Sequence, residues 1–259
     1  PQIWAWRPRR VKKIGNRIDH MAVILPFEEE FYEKHDIPAT FVGHPLMDSY
    51  TPPAETDSGG KGLDGLTLGI LPGSRDKEIL RHLPVMLDAV HLLRERQGGL
   101  QVIVSLAPSV KKEMVTRMIR THALQGGVEL SAHPVREVFA RSCLVVAASG
   151  TVTLEAAISG TPMVIIYKVS PLSYRLAKAL VQVRHVGLAN LIAGREIVPE
   201  LLQDDATPEN IARTVHDMLG DTDRLESIRQ QMRSVGKLLG EPGASRRVAD
   251  IALRMIQTP

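Results

Sequence analysis

The sequence contains a single cysteine, Cys143, in 259 residues. One thiol cannot form an intrachain disulfide, and it cannot supply the cysteine set of a zinc or iron–sulfur module. The 9 histidines are scattered and no two are spaced four residues apart, which makes a histidine-bound metal unexpected. We therefore expect no metal and no cofactor, in a protein of the reducing cytosol.

Aromatic residues and long apolar runs are also scarce. Aromatic side chains make up 4% of the sequence, and no basic–aromatic strand motif is present, so no nucleic-acid partner is expected. No apolar run reaches the roughly 18 residues that a membrane span requires. No Walker A motif occurs, and the G-x-G-x-x-G match at Gly60–Gly65 precedes a strand instead of following one, which favours a linker.

The composition that remains is globular, with 44% hydrophobic and 24% charged residues and a formal net charge of +3. Basic residues are concentrated in Arg7–Lys13, directly after Trp4 and Trp6, and in Arg224–Arg254. Two interpretations stay open for these clusters. They are solvated helix faces, or they contact a phosphate-rich surface, which is a membrane or a nucleic acid.

From Leu66 onward, short β-branched runs alternate with amphipathic helical stretches, which predicts βαβ units and a parallel sheet. The predicted strands are Leu66–Leu71, Gln101–Leu106, Val128–Leu130, Leu144–Ala148 and Met163–Tyr167. The predicted helices are Asp76–Arg96, Ser109–Ala123, Val135–Arg141, Thr151–Ser159, Pro171–Arg184, one from Pro208, Arg224–Leu239 and Ala244–Ile256. Upstream, two short strands flank a helix at Phe27–His35, and the Gly/Pro/Ser-rich residues 51–65 read as a linker between domains.

The strand ending at Leu71 runs into Pro72, Gly73, Ser74 and Arg75 before the next helix begins. Glycine permits close backbone approach to a ligand, free amides at a helix start attract anions, and an arginine adds a two-pronged phosphate contact. The alternative is an ordinary turn in which Ser74 caps the helix.

A second junction of this kind follows Ala148, where Ser149, Gly150 and Thr151 open a helix that carries Glu155. Hydroxyls and unpaired amides suit a diphosphate, and a carboxylate one turn later suits a ribose diol. The alternative is that Glu155 only offsets the helix dipole. Both junctions together predict a nucleoside-diphosphate ligand held without a metal.

A third segment, 187–196, combines small residues with Asn190, Arg195 and Glu196. These polar side chains suit a sugar or a second phosphate. The alternative is that Asn190 is a turn residue and that Arg195 and Glu196 form an ion pair on the surface.

Six motifs in register resemble the lipid-A-disaccharide synthase family: they are Trp4–Arg7, Leu25–Glu28, Val42–Pro45, Leu71–Arg75, Ala147–Thr151 with Glu155, and Asn190–Glu196. The resemblance implies an α/β protein of the two-domain GT-B type, with a Rossmann-like, parallel-sheet C-terminal domain. It implies an inverting transfer of 2,3-diacylglucosamine from its UDP derivative to 2,3-diacylglucosamine 1-phosphate. It also implies action at the cytoplasmic face of the inner membrane, without a cofactor, by a homodimer that exchanges C-terminal segments.

Carried onto this sequence, the resemblance makes Arg75 and Asn190 catalytic residues, and it makes Glu155 a nucleotide contact. It places His44, Arg195 and Glu196 at the substrates. Members of the family have about an extra opening third, which contains the general base, so the sequence is expected to be a fragment. Residues 1–50 would be the remnant of the N-terminal Rossmann-like domain, 66–240 the nucleotide-sugar domain, and 241–259 a helix that crosses back.

Two alternatives remain at this stage. The chain is another GT-B enzyme acting on a UDP-sugar, such as a UDP-N-acetylglucosamine 2-epimerase or a peptidoglycan-precursor transferase, or it binds nucleotide without catalysing a reaction.

Overall fold

The structure, a computed structural model, describes residues 3–6, 10–50, 66–96, 98–122, 124, 126–170, 174 and 185–257. The predicted linker 51–65 lies outside the described residues, as does the predicted helix Pro171–Arg184 apart from Tyr174. In the described part, no helix is long and apolar enough to cross a membrane.

The first part of the chain forms a small α/β unit. Its elements are α1 (Ile3–Trp6), α2 (Val11–Gly15), β1 (Met21–Val23), α3 (Pro26–Glu33), β2 (Ala39–Phe41) and α4 (Leu46–Ser49). Strands β1 and β2 pair in parallel. Glu28, in the first turn of α3, accepts the backbone N–H of Leu25 at 3.1 Å and the indole N–H of Trp4 at 2.8 Å. Trp4 also packs edge-on against Phe27, so its indole ring makes intramolecular contacts.

The rest of the chain is built on one parallel sheet of six strands, ordered β5-β4-β3-β6-β7-β8. The strands are β3 (Thr67–Leu71), β4 (Gln101–Ser105), β5 (Val128–Ser131), β6 (Leu144–Ala148), β7 (Met163–Tyr167) and β8 (Glu200–Leu202). Central strands of a parallel sheet are covered on both faces and are therefore continuously apolar, as the fully buried β6 is. The chain starts in the middle of the sheet, proceeds to one edge, and returns to fill the other, so the order reverses between β3 and β6.

Helices cover the sheet and complete the core. They are α5 (Asp76–Arg96), α6 (Lys112–Thr121), α7 (Val135–Arg141), α8 (Val152–Ser159), α9 (Leu188–Ala193), α10 (Pro208–Leu219), α11 (Thr222–Leu238) and α12 (Ala244–Gln257). The predicted parallel α/β fold is confirmed, and the bounds of β3 to β7 lie within one residue of those predicted. Strand β8 and helix α9 were not predicted.

Cys143 lies just before β6 and is half-buried. Its thiol donates to the carbonyl oxygen of Thr67 at 3.1 Å. Burial raises the pKa of this thiol. The single cysteine is therefore a packed, protonated side chain.

The end of the chain returns to the first α/β unit. The backbone N–H of His44 donates to the carbonyl oxygen of Leu239 at 2.8 Å, and Arg247 Nε donates to the carbonyl oxygen of Val42 at 2.8 Å. The carboxylate of Asp48 accepts the first amides of the C-terminal helix, those of Gly243 at 2.6 Å, Ala244 at 3.0 Å and Ser245 at 3.2 Å. A side chain nearly 200 positions upstream therefore caps α12.

The Asp48→Ala variant is expected to loosen the start of α12. The hydrogen bonds from Gly243 and Ser245 lower the pKa of Asp48 from 3.8 to about 2. The lowered pKa belongs to the folded state. The stabilisation that the Asp48 carboxylate gives to the start of α12 is therefore complete above pH 3.8 and is lost as the pH falls toward 2. Hydrogen exchange at the amides of residues 243–245 measures this directly.

The matched control for that experiment is Asp250→Ala, which removes an exposed carboxylate from the same helix. Exchange at 243–245 should accelerate in the Asp48 variant alone. Equal exchange in both variants would show that α12 is held by other contacts.

Candidate nucleotide site

The two predicted anion loops lie side by side. Strands β3 and β6 are hydrogen-bonded neighbours, and Leu71 stands opposite Ala147 in the register. Because both strands run in the same direction, the loops 72–75 and 149–151 leave the same edge of the sheet. They do so where the strand order reverses, which is where open α/β sheets bind their ligands.

In the loop after β3, Gly73 has φ of +120°, a backbone conformation that favours glycine. A Cβ added there would lie 2.8 Å from Oε2 of Glu78. Ser74 is fixed from two sides, since its carbonyl oxygen accepts the hydroxyl of Ser109 at 2.6 Å and its N–H donates to Glu78 at 3.2 Å. Helix α5 begins two residues after Ser74, so Ser74 precedes the N-cap position.

The Arg75 side chain is 78% exposed and pairs with Glu78 at 2.5 Å. Burial acts to raise the pKa of Glu78, but the hydrogen bonds from Arg75 and Ser74 outweigh it and the pKa is lowered. The charged Glu78 therefore orients the guanidinium, whose other N–H groups remain available for an anion. Sequence reasoning missed Glu78, although its position three residues after Arg75 is the spacing of a capping residue.

The loop after β6 is open toward solvent. No atom lies within 4 Å of a Cβ added at Gly150. Its carbonyl oxygen is held by the hydroxyl of Thr153 at 2.8 Å, and the hydroxyl of Ser149 donates to the carbonyl oxygen of Val186 at 3.1 Å. Thr151 is exposed and makes no side-chain capping bond.

Glu155 follows one turn later on α8 and is half-buried. No described residue donates a hydrogen bond to its carboxylate, and burial raises its pKa. A carboxylate that is shielded from water without a protein partner is costly in the free protein, and such groups are enriched at ligand sites.

Asn190 is fully buried on α9 and every hydrogen-bonding position of its amide is occupied. It donates to Val198 O at 2.8 Å and to Glu200 Oε1 at 2.7 Å, and it accepts the N–H groups of Ile197 at 2.8 Å and Val198 at 3.1 Å. Its amide therefore holds the chain between α9 and β8. That Asn190 also serves a ligand, as the sequence suggested, stays a prediction.

Glu200 is the residue that Asn190 positions. Its side chain is 6% exposed and accepts the amides of Val186 at 2.8 Å and Gly187 at 3.1 Å. These amides lie just before the first residue of α9, so the buried carboxylate holds the segment that leads into that helix. Since Ser149 binds the carbonyl of the same Val186, the network joins the β6 loop to the segment 185–187.

The remaining predicted substrate residues lie elsewhere. Arg195 and Glu196 are exposed on the segment that enters β8 from its amino end, whereas the two anion loops leave at carboxyl ends. They line a cavity of about 270 Å³ against the first turns of α11. His44 is 7% exposed at the contact with Leu239, and burial lowers its pKa against the opposing effect of Glu28.

Within the described part of the chain, no group of three or more metal-ligating side chains is present. The donors at the two loops are amides, hydroxyls and a guanidinium, which are ligands for an anion. A parallel sheet of this order with such loops at its reversal point is the Rossmann-like arrangement expected of a GT-B nucleotide-binding domain.

Solved structures agree with this class. The chain matches UDP-GlcNAc 2-epimerase from Neisseria meningitidis, solved with UDP-GlcNAc, at a TM-score of 0.59 and 12% identity, covering 91% of this chain and 62% of that one. It matches sucrose-phosphate synthase from Thermosynechococcus elongatus at a TM-score of 0.59 and 14% identity, covering 98% and 62%. At these identities the likeness shows the fold alone.

Sequence relatives identify the family. The chain is 44% identical over 260 residues to the lipid-A-disaccharide synthase of Geobacter metallireducens, covering 99% of this chain and 67% of the relative. For the enzyme of Nitrosococcus oceani the identity is 40%, with 99% and 67% covered. The family model described as lipid-A-disaccharide synthetase matches residues 1–255, and the chain belongs to that family. The predicted class, a glycosyltransferase of lipid A biosynthesis, is confirmed, and the alternatives that remained open are not favoured.

Proposed function

We propose that the chain forms the donor side of an inverting lipid A disaccharide synthase. It binds UDP-linked 2,3-diacylglucosamine and transfers the sugar to 2,3-diacylglucosamine 1-phosphate, which gives the disaccharide 1-phosphate and UDP. The observation that carries this proposal is the adjacency of the loops 72–75 and 149–151 at the reversal point of the sheet, in a chain of this family.

The diphosphate lies between the two loops in this proposal. Gly73 and Gly150 allow close backbone approach, and Ser74, Ser149 and Thr151 flank the diphosphate. Arg75 supplies a positive charge that Glu78 already orients. In the transfer, the bond between the anomeric carbon and the diphosphate oxygen breaks as a sugar hydroxyl oxygen of the acceptor attacks. Negative charge then develops on the departing UDP, and fixed amides and a guanidinium stabilise it where a metal is absent.

Glu155 has the position and the chemistry of a ribose ligand. It lies one turn behind the β6 loop, and as a carboxylate it accepts hydrogen bonds from two neighbouring hydroxyls. Burial deprives the Glu155 carboxylate of water, which is unfavourable in the free protein. Hydroxyl groups of a bound ribose would donate to this carboxylate and so offset the desolvation.

Other parts of the reaction need groups outside the described site. Removal of the acceptor's hydroxyl proton requires a general base, which the family resemblance places in the opening third of its members. His44, Arg195 and Glu196 remain candidates for the acceptor side.

We also propose a peripheral position at the cytoplasmic face of the inner membrane and a homodimer with exchanged C-terminal segments. The exposed apolar side chains of α12 support this part, and they are Val248, Leu253, Met255 and Ile256.

Titration of UDP tests the nucleotide assignment. Arg75→Ala is expected to weaken UDP about tenfold, because it removes charge-assisted hydrogen bonds to phosphate. Glu155→Gln is expected to weaken UDP by a similar factor but to raise the free energy of unfolding at neutral pH. The pKa of Glu155 is raised in the folded state, so its ionised form opposes folding above its usual pKa.

Arg117→Ala, which removes an exposed cation from α6, is the control and should bind UDP as the wild type does. Unchanged UDP affinity in both site variants would contradict the assignment. An acceptor screen with the full-length enzyme then tests the sugar transfer, because only this proposal requires a diacylated 1-phosphate sugar.

A further inference from the structure

His82 connects the β3 loop to the far side of the reversal point. It lies on α5 and is 2% exposed. Its Nδ1 is 3.1 Å from the carbonyl oxygen of Pro72, and its Nε2 accepts the backbone N–H of Lys168 at 3.1 Å. One imidazole therefore joins the exit of β3 to the exit of β7, across 86 positions of sequence.

The partners decide the form of the ring. The carbonyl oxygen of Pro72 only accepts, so Nδ1 carries the hydrogen. Nε2 lies 3.1 Å from the backbone nitrogen and 3.2 Å from the carbonyl oxygen of Lys168, and as the unprotonated nitrogen it accepts the N–H. Burial lowers the pKa of His82, outweighing the carbonyls of Pro72 and Lys168 and the nearby Glu78, which act to raise it, while Arg81 acts to lower it. The neutral imidazole with hydrogen on Nδ1 is thus the form that satisfies both neighbours.

Holding the Pro72 carbonyl fixes the direction of the next amide. A trans peptide is planar, and its N–H points opposite to its C=O. Since His82 draws the oxygen of Pro72 toward the protein, the N–H of Gly73 points away from it. No described residue accepts that N–H, and Gly73 has φ of +120°, so the peptide presents a free donor in a conformation that needs support.

The other end of the connection is itself held by hydrogen bonds. The ammonium of Lys168 donates to the carbonyl oxygens of Gln203 at 2.9 Å and Ala206 at 3.1 Å. The side chain of Gln203 accepts the N–H of Val169 at 2.5 Å and donates to its carbonyl at 3.3 Å. His82 therefore joins the β3 loop to a segment at the exit of β7 that is itself held by several hydrogen bonds.

We propose that His82 is a positioning residue for diphosphate binding, which holds the Pro72–Gly73 peptide so that the Gly73 N–H faces the ligand. The inference rests on the proposed function, and it adds a residue that acts on the ligand only through the backbone of the loop. If His82 positions the loop, a variant without the imidazole loses more nucleotide affinity than its loss of thermal stability would explain.

Three variants separate positioning from mere packing, with UDP titration and thermal unfolding measured on each. His82→Leu keeps an apolar volume but removes both hydrogen bonds, and we expect UDP to bind about tenfold more weakly. His82→Gln retains one donor and one acceptor, and we expect it to recover most of the affinity. Leu83→Ala opens a cavity beside it in the same helix; we expect lower thermal stability and unchanged UDP affinity.

Wild-type affinity in His82→Leu would overturn the inference while leaving the proposed function intact. A loss in His82→Leu that glutamine fails to rescue, and that Leu83→Ala reproduces, would overturn it as well. If the wild-type chain binds no UDP, the proposed function fails and the positioning role fails with it.

Discussion

Replacing Asn190 with alanine is expected to lower the free energy of unfolding by about 3 kcal/mol, among the largest effects of a single polar substitution in this chain. The change removes four hydrogen bonds at a fully buried position. It leaves the amides of Ile197 and Val198 without an acceptor, and it takes a donor from the buried carboxylate of Glu200. Each unpaired buried group costs about 1–3 kcal/mol, so the loss exceeds that of an average hydrogen bond.

Chemical denaturation measures that loss, and Asn16→Ala is the matched control because Asn16 is exposed. The control should change stability by less than about 0.5 kcal/mol. Nucleotide affinity should fall in Asn190→Ala, since Glu200 and the segment 185–187 lose their support. A variant with wild-type stability would show that water or a rearranged loop replaces the amide.

Substitution of Gly187 by alanine is expected to cost about 2 kcal/mol through overpacking. An added Cβ would lie 2.3 Å from Cδ1 of Ile165 and 3.1 Å from Oε1 of Glu200. Ile165 is completely buried in β7, so its side chain has no free volume to enter. The methyl group also presses on the carboxylate of Glu200, which accepts the N–H of Gly187.

Gly98→Ala provides the comparison, because no atom lies within 4 Å of a Cβ added at Gly98. The free energy of unfolding should drop in Gly187→Ala and stay nearly constant in Gly98→Ala. Equal stabilities would mean that Ile165 shifts at little cost.

Much of the fold follows from local pattern. Continuous apolar runs such as Leu144–Ala148 are long enough to identify buried strands, and their alternation with helices determines a parallel sheet. The strand Glu200–Leu202 escaped prediction because it has three residues, pairs on one side only and is half-buried. Helix α9 has only six residues, and the N–H of the preceding Gly187 is bound by a carboxylate thirteen residues further along the chain.

The site divides in the same way. The adjacency of the loops after Leu71 and Ala148 was predictable, because parallel strands send their carboxyl ends to one edge. The hydrogen bonds of Asn190 were not predictable, because the sequence reveals an amide but neither its burial nor its partners. His82 was missed for a related reason: its two partners lie on different strands, and only the folded chain brings them together.

The environment of Cys143 has a practical consequence. A lone thiol that is packed against Thr67 and kept protonated reacts slowly with maleimides. A second cysteine introduced at an exposed position, such as Gln257 at the end of α12, would take up a fluorophore almost alone. The native chain is thus ready for distance measurements between chosen pairs of dyes without prior removal of its own sulfhydryl.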